Sequence, residues 1–414
     1  MKRNWIGSLI FVIALLIAGG CSSSHAENDV HWKEESFAER QQVIELPQFT
    51  ISPIDEMVER MTTEEKVGQL VIAGIEGTSF SAELEVLIKE HYVGGVILLG
   101  RNISTVESIV NLLNESKKAN ELNKVPLFLS VDEEGGRVSR LPNGVGKLPS
   151  ARSIGALNDA QANYDAGIYL SEVLHEFGYN MNFAPVLDVF SNPKNTVIGD
   201  RSYGSDPAKV AKLGISTMHG MMDGGIIPVV KHFPGHGDTI VDSHDAMPVV
   251  KKEMEELKRM ELYPFQQAID DGAEAVMVSH VLYSDLDDKR VASLSDRIMS
   301  DLLRTEMGFD GVIITDDLTM SAISNDYAIS DAAVQSFKAG SDVLLIAGDF
   351  EEQLLSISKL LGAIESGEIS EARLNESVER ILSLKYKYIK DEEMQTAFDV
   401  KKVNELYEEF MRHY

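Results

Sequence analysis

The segment from Lys231 to Pro248 is unusually rich in side chains that move protons or bind ligands. It reads KHFPGHGDTIVDSHDAMP and contains three histidines and three aspartates. Asp242 and His244 are two residues apart, so the carboxylate can accept a hydrogen bond from the imidazole. Such a bond fixes the histidine tautomer and raises its basicity. The pair is therefore a candidate general acid/base, carried on a loop that Pro234 and the flanking glycines keep from forming a helix.

Two other interpretations of this segment remain open. Histidine and aspartate are also common metal ligands, so the same residues could form a metal site. Most of them lie on a glycine-rich stretch rather than on rigid strand ends, which favours proton transfer over metal binding. The third interpretation is an ordinary polar surface loop. From the residues alone we expect neither a metal nor a cofactor.

A second group of candidates follows apolar runs directly. Asp316 and Asp317 end the run GVIITDDL (311–318), where two carboxylates are costly to bury unless they are solvated, paired or used in catalysis. Asp316 leaves the run first and, in a barrel, should point near the barrel axis. Asp317 is better suited to supporting the next helix. For either residue, a cap or a salt bridge is the alternative to a catalytic role.

Further polar residues occupy comparable positions. Asp132 ends the run PLFLSVD, and the Gly135–Gly136 turn after it presents Arg137 or Arg140. Arg201 lies in a loop after the fourth run. Lys231 and His232 end the fifth. Charged groups of this kind make strong hydrogen bonds and suit a ligand with several hydroxyls, although a purely structural arginine–aspartate lattice would need the same residues.

Eight short, nearly continuous apolar runs alternate with helix-like segments and indicate strands buried on both faces. The runs span 67–75, 93–99, 126–132, 179–189, 226–233, 275–281, 311–318 and 342–348. This order predicts an α/β fold of the (β/α)8 barrel type, with an open doubly wound sheet as the alternative. The barrel is favoured because the polar residues follow the strands nearly all round the series, and a barrel brings those ends together on one face.

The N-terminus predicts export. Lys2 and Arg3 precede an apolar run from Ile6 to Ala18, followed by Cys21, the only cysteine. This pattern is typical of a lipoprotein signal peptide (1–20) with Cys21 as the lipidated residue, although an uncleaved anchor would look similar. Residues 21–50 are predicted to be a tether, 51–390 the catalytic barrel and 391–414 a helical tail. We therefore expect a protein anchored outside the cytoplasm by its lipid.

The charge balance argues against nucleic-acid binding. The chain of 414 residues has a formal net charge of −28, whereas binding to a phosphate backbone needs clustered Lys and Arg. We expect the protein to be a monomer.

Together these segments resemble glycoside hydrolase family 3 and, within it, the NagZ-type β-N-acetylglucosaminidases. The similar pieces are MTTEEKVGQL, GGVILLGRNI, SVDEEGGRVSRL, NFAPVLDV, IGDRSYG, KHFPGHGDTIVDSH, MVSHV and VIITDDLTM. They run in family order from about residue 61 to 320.

The resemblance implies a retaining, exo-acting enzyme that works without a cofactor. Asp316 matches the nucleophile, His244 the acid/base, and Asp242 its partner in a dyad. The residues that match sugar-binding positions are Asp132, Arg140, Arg201, Lys231 and His232. His236 has a place in the motif without a derived role. With the export signal, the resemblance implies muropeptides as substrates. A metal-dependent barrel hydrolase and a non-catalytic sugar-binding lipoprotein remain the alternatives.

Overall fold

Each of the eight apolar runs contains a β-strand in the computed structural model, which describes residues 52–239, 242–243, 247–389, 394–395 and 398–414. The strands are β1 Val71–Gly74, β2 Gly95–Leu98, β3 Phe128–Val131, β4 Met181–Asn182, β5 Ile227–Pro228, β6 Val230–Phe233, β7 Val249–Val250, β8 Ala275–Val278, β9 Leu282–Tyr283, β10 Val312–Thr315 and β11 Leu344–Ile346. The fifth run supplies both β5 and β6. The short strands β7 and β9 pair only with each other in the described part of the chain.

The remaining strands connect through parallel pairings into a closed ring. One sheet has the order β11-β1-β2-β3-β4-β5 and another the order β10-β8-β6. Single bridges join the two sheets at both seams, Val186 with Lys231 and Ile314 with Val343. Residues in the ring strands are buried throughout, as strands covered on both faces must be. The α/β prediction is confirmed, and the closed pairing is that of a barrel rather than of an open sheet.

Helices cover the outside of the ring and follow its strands in alternation. They are α1 Pro53–Arg60, α2 Thr63–Gln69, α3 Ala82–Lys89, α4 Val106–Asn120, α5 Ala151–Ala156, α6 Ala160–Phe177, α7 Pro207–Asp223, α8 Met254–Arg259, α9 Leu262–Asp270, α10 Ser321–Ser324, α11 Ile329–Ala339, α12 Phe350–Glu365, α13 Glu371–Tyr388 and α14 Val400–His413. A π-helical segment, Arg297–Glu306, follows β8 and β9. Thr62 and Glu65 form a reciprocal capping box at the start of α2, which satisfies two backbone N–H groups there.

Several predictions concern residues outside the described ranges. They are the signal peptide 1–20, its lipidation site Cys21, the tether 21–50 and the acid/base candidate His244. Within the described ranges, no helix combines the length and the apolar character needed to cross a bilayer. Helix α14 lies within the predicted tail 391–414 and packs against α6.

Candidate active site

A cavity of about 190 Å³ opens where the strands of the ring end. The candidate residues that line it are Asp132, Arg140, Arg201, Lys231, His232 and Asp316, joined by Glu134, His236 and Ser243. They come from β6 itself and from the loops after β3, β4, β6 and β10, so the barrel brings together side chains that are far apart in sequence. A larger cleft, of about 560 Å³, lies near the residues that precede β8 and β10. That is the opposite end of the barrel from the one where barrel enzymes place their chemistry.

Lys231 and Arg201 share one buried carboxylate. The Nζ of Lys231 donates to Asp132 Oδ1 at 2.6 Å and to Glu134 Oε1 at 2.7 Å. Arg201 donates to both oxygens of Glu134, at 2.8 and 2.7 Å. Burial would raise the pKa of Glu134, but Arg201 and Lys231 lower it far below its usual value. The cluster is therefore fully charged, and its geometry is fixed before any ligand arrives.

His232 is held in one tautomer by two different partners. Its Nδ1 lies 2.6 Å from Asp188 Oδ2, and its Nε2 lies 3.2 Å from Arg201 Nη2. Since arginine can only donate, Nε2 accepts and Nδ1 carries the proton. Burial alone would raise the pKa of Asp188, but His232 and His236 hold it below its usual value. These two contacts keep the ring plane of His232 fixed at the cavity wall.

Asp316 begins the loop after β10 and is half-buried at the cavity. Its Oδ1 accepts a hydrogen bond from the Asp317 backbone N–H at 2.9 Å. Burial by itself would raise the pKa of Asp316, but His280, His232 and Lys231 together with this N–H hold it below its usual value. The carboxylate is therefore ionised at neutral pH and available to attack an electrophile. Asp317 instead accepts hydrogen bonds from Thr319 and from Ala347 N–H, which fixes the start of the following loop.

The loop that carries the dyad candidate reaches the cavity at Ser243. The Ser243 carbonyl accepts the Ala322 N–H at 3.1 Å, and its hydroxyl lies 3.4 Å from His236 Nε2. Asp242 is half-buried beside it. His244 lies outside the described residues, so the Asp242–His244 pair stays a prediction. Ser243 itself lines the cavity.

His236 supports this loop. Its backbone N–H donates to Asp188 Oδ1 at 2.6 Å, and its Nδ1 lies 2.8 Å from Thr239 Oγ1. Burial and the neighbouring His232 lower the pKa of His236 to about 4, so the ring is neutral at physiological pH. Through Asp188, His236 links the loop after β6 to the histidine that faces the cavity.

The two arginines after β3 lie in different surroundings, and only Arg140 lines the cavity. Arg137 is half exposed and bonds to Asp200 at 2.9 Å and to the Thr196 carbonyl at 2.9 Å. Arg140 lines the cavity, and among the described residues its buried Nε has no hydrogen-bond partner. Gly135 and Gly136 have φ angles of 81° and 56°, which allow the tight turn between the arms of this segment. Arg140 is thus the arginine that this turn places at the cavity.

Two carboxylates organise the site without having been predicted as site residues, Glu134 and Asp188. Asp188 is one of the polar residues that follow the apolar runs, so the sequence places it at the correct end of the barrel but assigns it no role. Glu134 had no comparable signal, because its importance follows from the approach of Arg201 and Lys231 across the barrel. Among the described residues, no three His, Cys, Asp or Glu side chains are grouped so that they could hold a metal ion.

Comparison with known proteins adds an independent result. Residues 62–384 match the model of the Glycosyl hydrolase family 3 N terminal domain. Beta-hexosaminidase A of Pseudoalteromonas piscicida is 34% identical over 334 residues, which span 75% of this chain but only 56% of that protein. Beta-hexosaminidase LpqI of Mycobacterium tuberculosis is 33% identical, covering 78% of this chain and 83% of that one. The structure of a family 3 beta-N-acetylglucosaminidase from Paenibacillus sp. str. FPU-7 superposes with a TM-score of 0.80 at 42% identity, covering 84% and 68% of the two chains.

Proposed function

Since this chain belongs to glycosyl hydrolase family 3, we propose that it is an exo-acting β-N-acetylglucosaminidase that releases terminal N-acetylglucosamine from peptidoglycan fragments with retention of configuration. The observation that carries the proposal is one ionised aspartate, Asp316, which lines the same cavity as a preformed set of charged groups. The cavity of about 190 Å³ is smaller than the roughly 300–1,000 Å³ typical of drug-sized ligands. A single sugar ring at a chain end suits that volume.

The charged cluster supports a role in holding sugar hydroxyls. Asp132 and Lys231 offer an acceptor and a donor side by side. Arg201 and His232 line the same cavity and are in contact with each other. Charge-assisted hydrogen bonds are about twice as strong as neutral ones and need no rearrangement when the groups are already fixed. Arg140 contributes a further donor with an unused Nε–H. In this proposal these five residues bind the terminal sugar.

The chemistry proceeds in two displacements. Asp316 attacks the anomeric carbon and the glycosidic C–O bond breaks, while protonated His244 gives its proton to the leaving oxygen. Neutral His244 then removes a proton from water, and the water oxygen attacks the anomeric carbon and releases Asp316. Asp242 accepts a hydrogen bond from the imidazole and stabilises its charged form. Ser243, which lines the cavity and whose carbonyl accepts the Ala322 N–H, supports assigning the acid/base role to this loop.

The location of the protein is part of the same proposal. From the signal-like N-terminus we infer that Cys21 carries a lipid and that the barrel lies outside the cytoplasm of a Gram-positive cell, tethered by residues 21–50. A net charge of −28 disfavours adhesion to an anionic wall, so soluble muropeptides fit better than intact peptidoglycan. Release of the protein from membranes by Cys21→Ala, with no loss in its amount, would support the anchor, and unchanged membrane association would contradict it.

The activity is tested with a chromogenic β-N-acetylglucosaminide and the matching β-glucoside. We expect turnover of the first and little of the second, unaffected by a chelator. Equal cleavage of both would contradict the substrate, and loss of activity with the chelator would favour a metal-dependent hydrolase. Binding of N-acetylglucosamine without any turnover would indicate a sugar-binding protein.

A further inference from the structure

Glu133 stands between two residues that line the cavity, Asp132 and Glu134, but its own side chain points elsewhere. It is completely buried, and its Oε2 accepts the backbone N–H of Arg140 at 2.5 Å. Its backbone is fixed on both sides by the amide of Asn182, which accepts the Glu133 N–H and donates to its carbonyl, each at 2.9 Å. Glu133 thus ties the two arms of the segment 132–140 together.

The side chains around the Glu133 carboxyl group offer it few hydrogen-bond partners. Among the described residues, five buried side-chain atoms lack a hydrogen-bond partner, and three of them belong to Glu133, Arg140 and Tyr179. The titratable groups that face the carboxyl group are Arg140 from its own segment, Tyr169 from α6 and Tyr179 from the strand approach to β4. Burial raises the pKa of Glu133 to about 7, and the Arg140 and Gly135 N–H groups, Ser139 and the Arg140 charge limit the rise.

The hydrogen bond from the Arg140 N–H to Glu133 matters because the same segment carries residues that line the cavity. Glu134 N–H bonds to the Val138 carbonyl at 2.9 Å, and Gly136 N–H to the Leu148 carbonyl at 2.8 Å, so the turn is rigid once its ends are joined. One end carries Asp132 and Glu134, which set the position of Lys231. The other end carries Arg140. A shift at the Arg140 backbone would therefore change the distance between its guanidinium and the charged cluster of Asp132, Glu134 and Lys231.

We propose that Glu133 is a positioning residue, whose buried carboxyl group fixes the Arg140 backbone and so sets the spacing of Arg140, Asp132 and Glu134 around the bound sugar. The proposal rests on the proposed function, because it assumes that these three residues hold substrate. It assigns Glu133 no contact with substrate. An ionised carboxylate holds the N–H more strongly than a neutral acid does, so the segment is held most firmly above neutral pH.

The test compares Glu133→Gln, which keeps shape and an acceptor oxygen, with Glu133→Leu, which keeps volume and removes the acceptor. We expect Glu133→Leu to raise KM about tenfold or more with a smaller change in kcat, since a charged hydrogen bond is lost. The wild-type KM should rise as pH falls through 7, and that rise should be absent in Glu133→Gln. Glu121→Gln, at the exposed end of α4, removes the same charge and should behave as wild type.

A second readout does not need turnover. Hydrogen–deuterium exchange of the peptide covering 135–141 should be at least several-fold faster in Glu133→Leu than in wild type, and near wild type in Glu133→Gln. Equal exchange and equal KM in all three proteins would overturn the proposal. If the wild type fails to hydrolyse the acetylglucosaminide, the proposed function fails, and the exchange experiment still decides whether Glu133 positions the segment.

Discussion

Arg201 donates two hydrogen bonds to the Glu134 carboxylate, at 2.8 and 2.7 Å, inside a cluster that also contains Lys231. Side-chain exposures of 14% for Arg201 and 4% for Glu134 place the pair out of contact with most solvent. Both cations depend on this carboxylate, because Lys231 has only Asp132 as its other anionic partner among the described contacts. The cluster that we propose as the sugar-binding site is therefore built on a residue whose carboxylate oxygens are already bonded to other side chains.

Replacing Glu134 by Gln should cost both stability and activity. Removing one partner of a buried ion pair leaves an uncompensated charge, so the free energy of unfolding should fall by about 3–5 kcal/mol. We expect kcat/KM to fall about 100-fold because Lys231 and Arg201 lose their alignment. Urea unfolding and steady-state kinetics measure the two effects.

The matched control for Glu134→Gln is Asp200→Asn, which breaks a pair of Arg137 that is half exposed. That variant should lose at most about 1 kcal/mol, as exposed pairs do. Similar losses for both variants would contradict a special role for the buried pair.

The nucleophile assignment predicts a large effect of Asp316→Asn. An amide cannot displace the leaving group, so kcat should fall by about 10⁴-fold or more. N-acetylglucosamine should still bind, because the cluster of Asp132, Lys231 and Arg201 is unchanged. Asp310→Asn, exposed at the opposite end of the same strand, is the control. Retained turnover in Asp316→Asn would rule out its role as nucleophile.

The strands and their order could be predicted because burial on both faces leaves a continuous apolar signature. The same reasoning located Asp316, Asp132, Lys231 and His232, since strand ends in a barrel converge. It could not find that Glu134 joins two cations, or choose between Arg137 and Arg140. Those outcomes depend on contacts between loops that are separated by more than 60 residues in the chain.

An acid role for His244 predicts a dependence on the leaving group. His244→Ala should reduce turnover of substrates with poor leaving groups much more than that of activated aryl glycosides, because only the former need the proton. General acid catalysis is worth about 10²–10⁴-fold, which sets the expected range for natural disaccharides. Hydrolysis rates across aryl glycosides of graded leaving-group pKa measure it, and a uniform loss would contradict the role.

Helix α14 lies beyond the region that matches the family, and it contacts the loop that follows segment 132–140. Asn404 accepts the Gly146 N–H at 2.9 Å and donates to the Gly144 carbonyl at 2.8 Å, and a side chain at Gly146 would collide with Tyr407. Asn404→Ala should lower the free energy of unfolding by about 1–3 kcal/mol, since two hydrogen bonds are lost. Chemical denaturation checks this, with exposed Lys401→Ala as control; equal stability of both variants would contradict it.

The elevated pKa of Glu133 makes the stability of the fold depend on pH. Its usual pKa is 4.5, and burial raises the folded-state pKa to about 7. Between these values the folded protein keeps a proton that the unfolded chain has lost, so the contribution of Glu133 to stability falls as pH rises from about 4.5 to above 7. The full difference is about 3 kcal/mol, at 1.36 kcal/mol for each pKa unit.

Replacing Glu133 by glutamine tests this dependence, because a glutamine side chain does not titrate. Relative to wild type, Glu133→Gln should therefore gain stability steadily between pH 5 and pH 8, whereas Glu121→Gln should show no such trend. Urea unfolding at a series of pH values measures the difference, and a constant offset between Glu133→Gln and wild type would show that Glu133 keeps an ordinary pKa.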